Sequence, residues 1–568
     1  MLEGRLDMEL DALKPCPKRL VVVMDGTWNS PATPSERDDG DEVFKPTNPL
    51  KTCRAVKDLD DVATVLIADR QPTDGETLTL AGKTYTFVTE LEDIDGHVRI
   101  ADDAKDTLEN LAFAIDKRRH RSRRYADATT RHPSLDARKV AGDPRSLELV
   151  PRRDAASDPY PVESTVTGWL VVSKAEMAGK IRDSGRDPAS GTPQIVYYDV
   201  GVGALRQSPG VANKIQTTVD RALGGARGAG FEGNIEDGYL FLSLNYWEGD
   251  EIYLFGFSRG ASAVRGLSRF IDWMGGLLRP DCTYWIPRFF DAFLAGRDPA
   301  ATRDEILSHL RQNQLRKGRS ADKAEAKATE ILGSVTPARV RFLGVWDSVL
   351  SIGEARERPH FGDAPAAIVD HARQGLAIDE RRPDFAPRIW RGRAPDNPAQ
   401  TLEQRWFAGV HSNIGGGYVH DGLANIALRW MLSEARAVGL GLDWSFLSHY
   451  RGHIHDRLYD SNGPFWRFLQ TVTFRRHVGE RSIDVDPNAG LCLDGSVFDR
   501  LAAGADQPEE GEASTDEDRR SFEPYRPANL LRFLARQVDL DALIAATPDV
   551  DDDFVLPEEV RRAIRAAT

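Results

Sequence analysis

The sequence is poor in the features that mark several common protein classes. Its four cysteines, Cys16, Cys53, Cys282 and Cys492, stand far apart in 568 residues with no C-x-x-C pair. That argues against a disulfide framework and a cysteine-built zinc site. No apolar stretch reaches the roughly 20 residues that a spanning helix needs. The opening MLEGRLDMELDALKPCPKRL has no apolar core of a secretory signal. A soluble product made in the cytoplasm is therefore expected, with any export left to other machinery. Basic residues are outnumbered, 74 Lys and Arg against 88 Asp and Glu, for a net charge of −14. Nucleic acid is not the expected partner, because phosphate binding needs a basic surface. H-E-x-x-H, P-loop, EF-hand and dinucleotide fingerprints are missing too. His453 and His455 have no convincing partners in the sequence, so neither metal nor cofactor is expected.

What the chain does have is a series of short apolar runs: Leu20 to Met24, Ile195 to Tyr198, Ile252 to Phe255, Val340 to Trp346 and Trp406 to Val410. Continuous apolarity without alternation fits strands buried on both faces of a parallel sheet. Helical periods separate several of them. Ala261, Val264, Leu267, Ile271 and Met274 recur at three- and four-residue spacing, with Arg265 and Arg269 facing elsewhere. This alternation predicts an α/β fold, a mostly parallel sheet with helices on both faces.

The stretch between the first two runs is too long for a loop. Residues 56–192 are read as an inserted small α+β domain. Hairpin turns are expected at Asp74-Gly75 and Ala81-Gly82, a helix within 101–119, and a closing strand over 165–173. Lys117 to Arg124 forms the one dense basic cluster, a solvated helix end or a contact for an anionic surface. Residues 279–335 turn helical and open with Tyr284, Trp285, Phe289, Phe290 and Phe293. They are read as a cap or lid, whose aromatic patch either packs its own core or meets lipid. The core then comprises 1–55, 193–278 and 336–480. A C-terminal segment, 481–568, contains an acidic linker at 504–520 and regains helical spacing from Tyr525, with Leu530, Leu534 and Val538 on it.

Gly256-Phe257-Ser258-Arg259-Gly260 matches G-x-S-x-G between a strand pattern and a helix pattern. That placement is the one a nucleophile elbow requires. A serine hydroxyl needs a base, and in α/β-hydrolases the acid and then the histidine follow it in the chain. Asp347 is the aspartate that directly ends a strand-like run, and His411 ends the next one and opens a glycine-rich turn. Ser258, Asp347 and His411 are therefore the candidate triad, against the simpler roles of helix caps and a structural histidine. Asp25-Gly26-Thr27 resembles a phosphatase signature, but that chemistry needs a nucleophilic aspartate where Val23 stands. The backbone of Gly26 and Thr27, with the N–H of Arg259, is instead expected to form an oxyanion hole.

Taken in order, LVVVMDGTWN, TNPLKT, YYDVGVG, IYLFGFSRGASAVRGL, FLGVWDSV, WFAGVHSNIGGGY and YRPANL resemble the α/β-hydrolase domain of the first class of type VI secretion lipase effectors. The resemblance implies a phospholipase A, delivered by a contractile injector into the periplasm of a competitor cell. It places nucleophile, acid and histidine on Ser258, Asp347 and His411. It implies a phospholipid or other ester substrate, peripheral membrane contact, a spike component as carrier and an immunity protein. The chain departs from the family in its insertion and in Val200, where the family has proline. The rival expectations are hydrolysis of a soluble ester, and a binding or delivery component with a decayed hydrolase core.

Overall fold

The computed structural model describes residues 17–26, 35–36, 42–43, 46–56, 59–60, 64–68, 70–80, 82–118, 123–133, 135–140, 143–151, 162–166, 169–173, 192–199, 231–349, 362–382, 385–459, 479–503, 524–551 and 553–567. Thr27, the glycines at 201 and 203, the middle of the basic cluster and the linker 504–520 lie outside these residues. The chain divides into two compact units. One comprises residues 1–54, 192–431 and 458–492, the other 55–191, 432–457 and 493–568.

The first unit contains the strands β1 (Arg19–Met24), β2 (Thr192–Asp199), β3 (Glu251–Phe257), β4 (Val340–Trp346), β5 (Val369–Ala377), β6 (Thr401–Phe407) and β7 (Leu491–Leu493). They lie in the order β7-β6-β5-β4-β3-β1-β2. The pairings from β2 across to β6 are parallel. Its helices are α1 (Asn48–Ala55), α2 (Phe231–Asn245), α3 (Arg259–Met274), α4 (Ile286–Leu294), α5 (Pro299–Arg316), α6 (Ala321–Leu332), α7 (His411–Gly415) and α8 (Gly422–Ala437). The architecture is α/β.

Burial explains the central strands. All six residues of β1 are buried, and six of the seven in β3. Two strands differ from the expectation. β2 is only half-buried and leaves Ile195 exposed. β5, with sequence VDHARQGLA, carries no apolar run, yet seven of its nine residues are buried. The buried Gln374 amide nitrogen finds internal acceptors, as burial demands, while its Oε1 has no partner among the described residues. Gln374 donates to Gln404 Oε1 at 2.9 Å and to the Arg388 carbonyl at 3.0 Å. Helix α3 also differs, being buried on more than one face. Arg265 is buried, donates to the Arg388 carbonyl at 2.5 Å and stacks 4.3 Å from the Trp390 ring.

The aromatic patch at 284–293 is not a lipid-facing surface. Phe289, Phe290 and Phe293 are buried in the main core. Phe290 and Phe293 pack against Phe270 of α3, with centroids 5.2 and 5.3 Å away. The α4 sequence IPRFFDAFL has an apolar face that the α3 aromatics cover. Only Tyr284 of the patch is well exposed, and its hydroxyl donates to the Ile331 carbonyl.

The second unit holds two four-stranded sheets. One orders Trp169–Ser173, Thr64–Ala68, Asp143–Pro151 and Leu135–Val140, and the other Val162–Ser164, Thr77–Leu80, Lys83–Val88 and His97–Arg99. Gly75 and Gly82 turn with positive φ. The helix Ala104–Asp116 is capped by Asp103, whose carboxylate accepts from the Asp106 N–H, and buries Leu108, Leu111 and Ile115 against these sheets. Short helices follow from Ala528, with Leu530 and Leu534 buried but Val538 fully exposed, contrary to its expected place on the apolar face.

Phe290→Ala empties a site between α3 and α4. It is expected to cost about 3–5 kcal/mol, read as an earlier unfolding transition in urea.

Candidate active site

Parallel register brings three strand ends together. Phe257, Trp346 and Gly375 stand side by side on β3, β4 and β5. One residue further on, the Ser258 N–H donates to the Trp346 carbonyl at 3.0 Å and the Asp347 N–H to the Gly375 carbonyl at 2.7 Å. Ser258 and Asp347 thus follow neighbouring strands at the carboxyl edge, where ligands bind in open α/β sheets. Both have positive φ, 57° and 43°. Non-glycine residues are held there only when surrounding structure over-determines them, at about 1–3 kcal/mol each. The Ser258 hydroxyl does not cap α3. The close approach depends on Gly260, where a Cβ would press on the carbonyl oxygens of Met24 and Asp25.

His411 is not a strand end. β6 stops at Phe407, and His411 opens the short helix α7 after an extended Val410. Its Nδ1 pairs with Asp347 Oδ2 at 2.6 Å. Its Nε2 is buried and has no hydrogen-bond partner among the described residues. The ring lies between Phe257 and Phe385, with centroids 4.6 and 4.9 Å away. A side chain at Gly415 would collide with Phe257, so only glycine lets α7 sit this close.

Burial works against both charged forms. It would raise the Asp347 carboxyl, but Arg481 and His411 outweigh it and hold the group well below the usual carboxylate range. Burial pulls the His411 imidazole below its ordinary value, against the opposing pull of Asp347. The pair at neutral pH is carboxylate with neutral imidazole.

Residues invisible to motif reading hold this pair. Arg481 forks onto Asp347, Nη1 to Oδ1 at 2.6 Å and Nη2 to Oδ2 at 2.9 Å. Glu380 Oε2 accepts the His411 N–H at 3.2 Å and is itself paired with Arg382. Burial raises the Glu380 carboxyl, yet Arg382 prevails and it is pushed down to about 2. The T-N-P-L-K segment reaches the same place. Asn48 Nδ2 donates to the carbonyls of Ile414 and Ala424, and Lys51 Nζ to Asp421 and Asn425. TNPLKT stood among the blocks of the resemblance, whereas Arg481, Glu380 and Arg382 carried no sequence signal.

The expected oxyanion donor at Gly26 has an internal acceptor. Its N–H donates to the Asp25 carboxylate at 2.6 Å. Asp25 also accepts from Thr47 Oγ1 at 2.5 Å and the Tyr198 hydroxyl at 2.7 Å. A buried carboxylate claims its nearest donors, and this N–H is engaged within the protein. The Arg259 N–H stands in the first turn of α3, where the helix dipole favours negative charge.

Residues 175–434 match the model described as T6SS, Phospholipase effector Tle1-like, catalytic domain. Over that stretch the chain is similar to the Tle1-like catalytic domain. Ser258, Asp347 and His411 fall inside the Tle1-like stretch, and Asp25, Thr47, Asn48 and Arg481 outside it. An uncharacterised protein of Saccharomyces cerevisiae, YEL023C, is 27% identical over 195 residues, which is 34% of this chain and 26% of that one. The chain thus spans about a quarter of that relative's length. A crystal structure of an uncharacterised protein from Pseudomonas aeruginosa aligns over all of this chain and 68% of its own, at 14% identity and a TM-score of 0.29. The structure of the Tle1 effector bound to the VgrG spike from the Type 6 secretion system covers 42% of this chain and 38% of its own, at 19% identity and a TM-score of 0.19. Among the described residues no helix is long and apolar enough to cross a membrane, and no group of three His, Cys, Asp or Glu side chains is placed to hold a metal.

Two outcomes follow for stability. Ser258→Gly removes a strained backbone position and is expected to raise the melting temperature, by on the order of 1 kcal/mol in stability. The Asp199 carboxyl is pushed up to about 6, by burial and then by Asp237. Its Oδ2 has no hydrogen-bond partner among the described residues. The folded state therefore prefers it protonated, and that contribution, full below the ordinary carboxylate range, is lost as pH rises through about 6. Asp199→Asn is expected to raise the melting temperature at pH 8 and leave it unchanged near pH 4.

Proposed function

We propose that the protein is a serine esterase that cleaves acyl chains from glycerophospholipids, on an α/β-hydrolase core. What carries the reading is the His411–Asp347 hydrogen bond with Nε2 left buried and unpartnered. A neutral imidazole so held is ready to take a proton. Ser258 Oγ attacks the ester carbonyl carbon as its proton passes to Nε2. The Arg259 N–H, at the start of α3, stabilises the resulting oxyanion. Collapse breaks the carbon–oxygen bond, and His411 returns the proton to the departing alcohol. Water then hydrolyses the acyl-enzyme by the same route, releasing fatty acid and restoring the serine. Asp347 orients the imidazole and stabilises its charge throughout.

The phospholipid substrate rests on the match of residues 175–434 to the Tle1-like phospholipase effector catalytic domain. On the same ground the proposed carrier is a type VI spike component, the proposed place of action the periplasm of a target cell, and the proposed guard in the producer an immunity protein. A second reading, hydrolysis of a soluble ester, is favoured by the burial of Phe289, Phe290 and Phe293, which takes away the surface expected to meet lipid.

Mixed phospholipid vesicles and short-chain esters, with products read by mass spectrometry, separate the two. Fatty acid and lysophospholipid are expected from vesicles. Turnover of short esters alone would favour the second reading. Ser258→Ala is expected to lower turnover by on the order of 10⁴-fold or more with little change in melting temperature. Failure of a fluorophosphonate probe to label Ser258 would instead make the core a binding or delivery scaffold.

A further inference from the structure

Asp347 serves two side-chain partners, His411 and Arg481, and the second lies outside the family's matched stretch. We infer that Arg481 is a positioning residue, whose guanidinium clamps the Asp347 carboxylate in the orientation from which it holds the His411 imidazole. The inference rests on the reading of Ser258, His411 and Asp347 as the reacting set.

The geometry is specific. Both terminal nitrogens of Arg481 are doubly engaged. Nη1 donates to Asp347 Oδ1 and the Ala377 carbonyl at 2.8 Å, and Nη2 to Asp347 Oδ2 and the Phe385 carbonyl at 2.5 Å. The two carbonyls fix the guanidinium plane, and the parallel fork fixes the carboxylate in turn. The Ala377 N–H, at 3.1 Å from Oδ1, and the His411 ring give each oxygen one bond, and the fork adds a second to each and sets the carboxylate plane. Oδ2 therefore receives both His411 Nδ1 and Arg481 Nη2 at a point set by the arginine.

Charge gives a second reason. The ionisable groups around His411 are Asp347 after β4, Glu380 and Arg382 after β5, and Arg481 on the segment before β7. Two carboxylates are matched by two guanidiniums, so the neutral imidazole sits in balanced surroundings. Without Arg481, the Asp347–His411 pair carries an uncompensated negative charge and holds a proton up to higher pH.

Two variants divide the roles. Arg481→Gln removes both fork and charge, while Arg481→Lys keeps the charge and loses the fork. Arg481→Gln is expected to lower kcat about 10- to 100-fold, change KM less than about twofold, and move the acid limb of kcat/KM to higher pH. Arg481→Lys is expected to keep the wild-type acid limb with most of the loss in kcat. An unmoved acid limb in Arg481→Gln, or full kcat in Arg481→Lys, would overturn the inference. A merely structural role would lower melting temperature and active fraction without moving the pH profile. NMR titration of the ¹⁵N-histidine-labelled full chain in a Ser258→Ala background reads the His411 protonation without turnover. If Ser258→Ala stays active, the reacting set is wrong. If the His411 midpoint does not rise with Arg481→Gln added, the clamp is wrong. If Arg481→Gln does not fold, Arg481→Lys decides through its kcat and its His411 midpoint, expected at the wild-type value and overturning the inference if raised.

Discussion

A carboxylate with no solvent exposure needs its charge answered within the fold, and Asp347 is such a group. Its two oxygens take bonds from the Ala377 N–H, the His411 ring and both ends of the Arg481 guanidinium. Breaking one side of a buried pair of this kind costs about 3–5 kcal/mol, because the survivor remains desolvated. Much of the surrounding architecture can be understood as what brings these donors to one place. Strands β4 and β5 supply the carboxylate and one backbone donor, α7 the imidazole, and the segment ahead of β7 the arginine.

Close packing at the same edge is bought with glycine. Gly260 lets α3 rest on the end of β1, Gly415 lets α7 rest on Phe257, and Gly416, with φ of 85°, turns the chain past Thr47. Asn48 then ties the carbonyl of Ile414 to that of Ala424. Loop positions set by backbone hydrogen bonds of this sort are more rigid than their glycine content would imply.

The legible part of the fold was the part governed by apolar burial. β1, β3 and β4 are continuous apolar runs, and the places of Ser258 and Asp347 at strand ends were readable because each directly follows one. β5 was not legible, because Arg373 and Gln374 sit inside it and their partners, Thr401 and Gln404, come from a different strand. The aromatic patch was read ambiguously for a related reason. An apolar helix face looks alike whether protein or lipid covers it, and only the neighbouring Phe270 and Trp273 decide. Arg481, Glu380 and Arg382 had no signal, since a buried ion pair is written in sequence as two ordinary charged residues. The bond from the Gly26 N–H to its immediate neighbour Asp25 had no signal either, since a side chain's turn toward its own backbone is not written in a motif.

The donors around Asp347 come from widely separated parts of the chain, the last being Arg481. A ribosome that has not yet released residue 481 holds a nascent chain whose central carboxylate has no guanidinium to meet. The full set of donors can be assembled only after that point in synthesis. The order of translation thus makes the guanidinium the last of these donors to join the group.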